Sequence, residues 1–436
     1  MYNQFLENII IPLGDFFNNS SFKKDLIKWR NIDKSSILEL EELQKNNLSK
    51  ILTHAVNKTK VYNNINLVGN NPYNWLNEFP ILTKEKLKTH TKELITENYN
   101  DLTKISSSGS SGVSSSVYMN SKDLSTLRAG LIHWWEWYGY KIGNPIIQTG
   151  ISPNRGFLKR IKDYLFRTTY VSAFAHSEEQ IITILNNIKN KKHYILVGYA
   201  SSLNVFANTA KKYNLNTQFK SVISLGDKLF NHYRKNIQQQ FKCKVFDTYG
   251  SAEGFLIGAE FDLPYMYILS PQCYVEILDD NNIPVPNGVM GNIVVTRLDG
   301  FAMPLIRYKI GDLGILLPKE KYPKNKKFNY PLLQQIIGRN TDVIKTKNGK
   351  TLIVHSFTGI FEYISEIEQF KVIQKNLDGI LIEYIKAEGF NKNILQNITD
   401  KLQASIQDNS FKIKFKEVDS ISPSNSGKPQ IIKSYL

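Results

Sequence analysis

The chain is poor in cysteine. Its 436 residues hold two, Cys243 and Cys273, too few for a disulfide framework or a cluster of metal ligands. Long apolar runs are also missing: none approaches the ~20 residues that a membrane-spanning helix needs. The first residues, MYNQFLENIIIPLGDFF, show neither a basic leader nor a small-residue cleavage site, so no secretory signal is expected. A cytoplasmic protein fits these absences. Several chemistries are excluded the same way. There is no Walker G-x-x-x-x-G-K-[ST], no G-x-S-x-G, and no H-E-x-x-H among the seven histidines. His133 and His176 stand alone, and a lone histidine is an ordinary structural residue. Zinc-finger spacing, RNP-type aromatics and a helix-turn-helix signal are all lacking, so nucleic acid is not an expected partner.

What remains is an ordinary globular composition, 42% hydrophobic and 22% charged. The length exceeds one simple core and points to one large and one smaller domain. Lys and Arg number 55 against 39 Asp and Glu, a net charge of +16. The excess is mostly scattered lysine, with short clusters at Lys189–Lys192 and Lys319–Lys327. It reads first as a solvated basic surface and next as an attraction for nucleotide or CoA phosphates.

Along the chain, residues 1–60 read as helical, with a helix over Asn31–His54. Thr83 is placed to cap a short charged helix. Asp123–Tyr140 reads as a helix whose Leu124, Leu127, Leu131, Trp134, Trp135 and Tyr138 face a core. Ser177-Glu178-Glu179-Gln180 has the form of a capping box. Apolar runs at Tyr194–Val197, Ser221–Leu225 and Val245–Thr248 alternate with helices over Ser201–Tyr213 and Leu229–Phe241. That alternation predicts βαβ units and a parallel sheet. From Tyr265 the pattern turns antiparallel. Asp342–Val354 reads as a hairpin turning at Asn348-Gly349. Strands near Phe370–Lys375, Gly379–Ala387 and Phe411–Val418, with a helix over Lys392–Ile406, complete a small α+β unit. The last segment, SISPSNSGKPQIIKSYL, reads as loop. The expected fold class is therefore α/β: an N-terminal domain with mixed sheets over 1–337 and a small mobile C-terminal α+β domain over 338–436.

Two features point to a site. The run Ile105–Tyr118, ISSSGSSGVSSSVY, holds eight serines and two glycines. Such a run is either a flexible linker or a loop whose N–H and O–H groups grip phosphate. No domain boundary lies there, which favours the phosphate reading. In an open α/β sheet, ligands sit beyond the carboxyl ends of the strands. Three successive strands end in Gly198-Tyr199, Gly226-Asp227 and Tyr249-Gly250-Ser251-Ala252-Glu253, so glycines and carboxylates gather at one edge.

Together these pieces resemble the adenylate-forming superfamily of acyl-CoA synthetases and ligases, in its phenylacetate-CoA ligase-like and CapK-like branch. The resemblance begins near Phe79 (FPILTKEKL) and runs to the C-terminus. It is carried by Ser107-Ser108-Gly109-Ser110-Ser111-Gly112, by Tyr249–Glu253, by Arg307-Tyr308-Lys309-Ile310-Gly311-Asp312, by Gly338-Arg339 and by Ser426-Gly427-Lys428. The resemblance implies ATP-dependent activation of a small carboxylic acid to an acyl-adenylate, followed by transfer to CoA. It implies that the Ser/Gly loop holds the ATP phosphates and that Glu253 binds Mg²⁺. Tyr249, Gly250, Ser251, Gly226 and Asp227 would border the nucleotide. Asp312, helped by Arg339, would hold the ribose, and Lys428 would stabilise charge on the reacting carboxylate and α-phosphate. The small domain would swing near Arg339 between the two steps.

The chain also departs from the family pattern. Ser114 and Ser115 stand where Pro and Lys often follow the loop, Ala252 replaces a threonine, and Thr341 precedes Asp342 at the hinge. With Phe261, Tyr267 and a single Cys273 where some relatives carry a Cys/His cluster, no zinc is expected. An amide or ester ligase acting on an amine or hydroxyl in surface polysaccharide biosynthesis is a second reading. A basic binding protein on an inactive scaffold is a third. The acid and the oligomeric state are not legible.

Overall fold

The computed structural model describes residues 1–106, 116–150, 156–172, 177–189, 191–339, 343–349, 351–361, 364, 366–408, 410–422 and 431–436. Helices come first. Tyr2–Phe5, Leu6–Ile10 and Ile11–Phe17 run on as one helical stretch with π-helical turns at its middle. The helix expected over Asn31–His54 is instead two, Phe22–Ile32 and Ile37–Lys58. The break is built into the sequence: Ser36 accepts from the Glu39 amide while the Glu39 carboxylate accepts from the Ser36 amide, a reciprocal cap that starts a new helix.

A short hairpin pairs β1 (Thr103–Ser106) with β2 (Ser116–Met119). The parallel layer follows: β3 (Ile146–Gly150), β4 (Thr168–Ser172), β5 (Ile195–Tyr199), β6 (Ser221–Leu225) and β7 (Val245–Ser251). Next come β8 (Phe255–Glu260), β9 (Met266–Ile268), β10 (Cys273–Leu278), β11 (Gly291–Arg297), β12 (Tyr308–Leu316) and β13 (Leu332–Arg339). Strands three to thirteen join in one eleven-stranded sheet, ordered β10-β11-β12-β13-β9-β8-β7-β6-β5-β3-β4. The strands from β4 to β7 are parallel, and the change to antiparallel comes at the β7–β8 pair, earlier than Tyr265.

The inner parallel strands β3, β5 and β6 are buried on both faces, as helical crossovers require, while the edge strand β4 is not. Along β5 the residues alternate between two cores. Ile195 and Val197 join Trp29, Trp134 and Trp135 on one face. Leu196 joins Leu203, Phe206 and Phe241 on the other, beneath helices Ala200–Lys212 and Asn231–Phe241. The aromatic stripe of helix Ser121–Trp137 is core: Trp134 is 1% exposed and Trp135 5%. Buried His133 sits within this core and shares Asp33 with Trp137 and Tyr330, each donating to its carboxylate.

The C-terminal part has its own core. A hairpin of β14 (Val343–Lys345) and β15 (Thr351–Ile353) precedes β16 (Ile367–Asn376), β17 (Gly379–Lys386), β18 (Lys412–Glu417) and β19 (Ile432–Ser434). The last four form a sheet ordered β18-β17-β16-β19, packed with helix Asn393–Ile406 through Val372, Ile382, Ile398, Leu402 and Ile432. The chain end is thus not all loop: Ile432–Ser434 pairs with β16. Ser177 caps its helix by accepting from the Gln180 amide, without a reciprocal bond among the described contacts. Among the described residues no helix is long and apolar enough to cross a membrane.

Candidate functional site

Because β5, β6 and β7 are parallel, their carboxyl ends lie on one edge, and three loops meet there. At the first, Gly226 follows β6 with φ +79°, and a Cβ would stand 2.5 Å from the Tyr199 ring. The position needs glycine for both backbone and space. Burial, with the Asp227 charge adding to it, pushes the Tyr199 phenol up to about 12. Asp227 itself faces the start of the preceding helix, Ala200–Lys212. Its carboxylate accepts from the Ala200 amide at 2.5 Å, the Ser201 amide at 3.2 Å and the Ser201 hydroxyl at 2.5 Å. A carboxylate there satisfies orphan N–H groups and meets the positive end of the helix dipole. Beside it, Lys228 donates to the Ile337 carbonyl at 2.8 Å, tying this loop to β13 just before Gly338.

At the second, β7 carries Tyr249, Gly250 and Ser251, and its pairing with β8 slips a register between Tyr249 and Gly250. Such irregularities re-aim side chains at sheet edges. A Cβ on Gly250 would meet the Phe255 carbonyl at 2.4 Å. The Ser251 hydroxyl is buried with no hydrogen-bond partner among the described residues. Glu253 is 7% exposed and accepts from the Tyr308 hydroxyl at 3.2 Å.

At the third, β12 brings in Asp312. The Tyr249 hydroxyl donates to its carboxylate at 2.7 Å. Arg339 is its direct partner across the β12–β13 pair. The fold therefore brings together Tyr249, Asp312 and the Arg339 backbone from sequence positions far apart. Gly311, with φ +93°, and a register slip between Leu313 and Gly314 mark the same stretch as irregular.

The serine run connects to this edge through its flanks. Ser106 and Ser116 are paired residues, so the two ends of the run are held side by side. Met119, at the end of β2, abuts the turn after Glu253: a Cβ on Gly254 would lie 2.2 Å from the Met119 methyl. Ser107–Gly112, Lys428, Thr341 and His176 lie outside the described residues.

Arg307 holds the neighbouring backbone. Its guanidinium pairs with Glu276 at 2.9 and 3.2 Å and donates to the Phe79 carbonyl at 3.3 Å, with both side chains 9% exposed. Leu82 pairs with Tyr308 in an isolated bridge, so FPILT packs against the start of β12. The arginine of the Arg-Tyr-x-x-Gly-Asp motif is thus a buried scaffold residue, while the tyrosine reaches Glu253. Sequence reasoning gave neither residue a separate role. Their place beside Asp312 in the motif was the available signal, but it could not tell a scaffold residue from one that faces a ligand.

The exposed glycines at 226 and 250, the unpartnered Ser251 hydroxyl and the Tyr249–Asp312 pair suit a nucleotide lying across the strand tips. Among the described residues no group of three His, Cys, Asp or Glu could hold a metal. Mg²⁺ is usually bound by one or two carboxylates plus substrate phosphates, and Glu253 is the carboxylate at this edge that would hold it. Cys273 is wholly buried, 3.7 to 4.0 Å from three backbone carbonyls, and burial raises its thiol pKa. A surface depression of 490 Å³ between Asn64 and Glu78 shares none of these residues.

Residues 344–435 match the CapK C-terminal domain family. The chain is 24% identical over 347 residues to protein CapK of Staphylococcus aureus, covering 76% of this chain and 73% of that protein. Among solved structures, 2-hydroxyisobutyryl-CoA ligase in its postadenylation state, in complex with an acyl-AMP, superposes with a TM-score of 0.73 at 16% identity, covering 93% of this chain and 91% of that one. The same ligase in its thioesterification state gives 0.60. The amide bond synthetase McbA of Marinactinospora thermotolerans gives 0.56 at 14% identity, over 76% of this chain and 68% of that one. The chain has the fold of the adenylate-forming ligases, is similar to CapK, and ends in a CapK C-terminal domain.

Proposed function

We propose that this protein is an adenylate-forming ligase that activates a small carboxylic acid with ATP and passes the acyl group to CoA. The observation that carries this reading is the hydrogen bond from Tyr249 to Asp312, made at the carboxyl edge of the parallel strands and opposite Arg339. In this reading Asp312 holds the ribose hydroxyls and Tyr249 borders the adenine. Ser107–Gly112 bind the phosphates through N–H and O–H donors. Glu253 would hold Mg²⁺, which would supply positive charge to offset the negative charge on the pyrophosphate. The acid's carboxylate oxygen attacks the α-phosphorus, the bond to the bridging oxygen breaks, and pyrophosphate departs. Lys428 holds the developing negative charge. Rotation of 338–436 against 1–337 then admits the acceptor.

A second acceptor, an amine or hydroxyl, is favoured by one observation: an amide bond synthetase shares the fold. Surface polysaccharide assembly would be the setting for that chemistry. A hydroxamate trap with ATP, Mg²⁺ and a panel of small acids tests the first step without knowing the acceptor. Trapped hydroxamate and released pyrophosphate are expected in equal amounts. If no acid in a broad panel yields either, the ligase reading fails and a binding protein on this scaffold takes its place. Adding CoA and then amines to an active pair separates the two acceptors.

A further inference from the structure

Two apolar stripes on the N-terminal side of the molecule face outward, uncovered by any of the described residues. The first lies on the helical stretch Tyr2–Phe17. Phe5, Ile9 and Leu13 are 45%, 49% and 50% exposed, and Phe16 and Phe17 at its end are 81% and 80% exposed. Steps of four, four and three residues keep this set on one helical face. The opposite face is anchored: Leu6 is fully buried in the core with Trp29 and Trp135, and Glu7 pairs with Arg30. The outward stripe is therefore a fixed surface of the fold.

The second stripe lies on helix Phe157–Leu165, where Phe157, Ile161 and Tyr164 are 75%, 43% and 85% exposed. Between them stand exposed Lys159, Arg160 and Lys162, and exposed Arg167 follows. Against these four cations the helix sets one carboxylate, Asp163. The two stripes are joined at their ends. The Tyr2 hydroxyl donates to the Leu165 carbonyl at 2.5 Å, and the Arg167 guanidinium sits 4.2 Å from the centre of the Tyr2 ring. The first turn of one helix is thus fastened to the end of the other.

We propose that these two outward faces form a docking surface for an anionic lipid bilayer. A helix with Phe, Ile and Tyr on one side and Lys and Arg on the other is the form that lies in a membrane interface, its rings at the head-group level. The charge decides between occupants. The helical stretch Tyr2–Phe17 carries only Glu7 and Asp15 as charged residues, and both are taken up inside the fold, Glu7 by Arg30 and Asp15 by Ser20 and the Phe22 and Lys23 amides. A second copy meeting through helix Phe157–Leu165 would set its cations against their own copies, which repels, whereas anionic head groups attract every cation on that helix. Ile9, Leu13 and Ile161 also offer aliphatic surface, which buries in acyl chains and has no stacking use on nucleic acid.

The test is flotation of the full chain with phosphatidylcholine vesicles, alone or with about 30% phosphatidylglycerol, at about 0.1 M salt, where surface charge is still felt over ~10 Å. Binding is expected to the anionic vesicles and to fall with added salt. Lys159→Gln with Arg160→Gln should weaken it roughly 30-fold, two charges at about 1 kcal/mol each. Phe16→Ser with Phe17→Ser should weaken it at least as much. All four side chains are exposed, so folding is checked by the thermal melt. If the phenylalanine pair unfolds the chain, the charge pair alone carries the test. No flotation with anionic vesicles overturns the proposal, as does binding indifferent to the charge pair. A lipid-independent dimer abolished by the same variants overturns it in favour of a second copy.

Discussion

Removing either partner of the Arg307–Glu276 pair should destabilise the protein far more than removing both. The pair spans β11, joining β10 to the residue just before β12, and both side chains are 9% exposed. Two N–H groups of Arg307 reach the Glu276 oxygens, and a third reaches the Phe79 carbonyl. Burial is the largest influence on Glu276 and outweighs the Arg307 charge, so its carboxyl titrates above the ordinary glutamate range. The pair is therefore costly to bury even while its members need each other. Glu276→Ala leaves a guanidinium buried and half satisfied, and should cost roughly 3–5 kcal/mol. Arg307→Ala should cost a similar amount. Replacing both, as Arg307→Met with Glu276→Leu, should fall within about 1 kcal/mol of wild type or above it. Denaturant unfolding of the four proteins at neutral pH gives the coupling energy. Single losses that simply add in the double variant would refute the argument. So would an Arg307→Ala protein of full stability that no longer binds ATP, since Arg307 would then be a ligand contact. The pH dependence has a defined sign. A carboxyl with a raised folded pKa contributes stability that is complete below the unfolded pKa and is lost as pH rises through the folded one. The wild type should lose stability relative to the double variant above about pH 4.3.

Asp227→Ala should lower stability by about 1–2 kcal/mol through the loss of a helix cap, and Asp227→Asn by less; unchanged stability would reassign Asp227 to a ligand. Burial and the neighbouring Glu260 charge raise Asp247 to about 8, so Asp247→Asn should gain melting temperature over wild type as pH climbs from about 4 to 8. A gap that is constant with pH would contradict this. Lys428→Ala should slow pyrophosphate release at least about 100-fold with a smaller change in KM for ATP, and a rate within a few-fold of wild type removes the role proposed for it.

Local patterns were legible from the residues alone. Alternating apolar runs and helices over Tyr170–Gly254 fixed the parallel layer, because strand and helix periods differ and each must bury a face. The Thr83 cap and the Asn348-Gly349 hairpin followed from single-residue chemistry. The break at Ser36 was legible too, in Ser-x-x-Glu, but a continuous apolar period hid it. The strand at Ile432–Ser434 was not legible, since three residues carry no period and gain their place from β16. The motif residues could be named from sequence, but the work each does could not. Asp227 and Arg307 carry charges that read equally well as ligand contacts. Which way a charge turns depends on what the fold sets opposite it, and here those partners are a helix N-terminus and Glu276. The Tyr249–Asp312 contact, across 63 positions, likewise exists only because one sheet brings β7 and β12 to the same site. Sequence determined which chemical groups exist and which elements carry them. Tertiary packing decided which groups are used up inside the protein and which are left for a ligand.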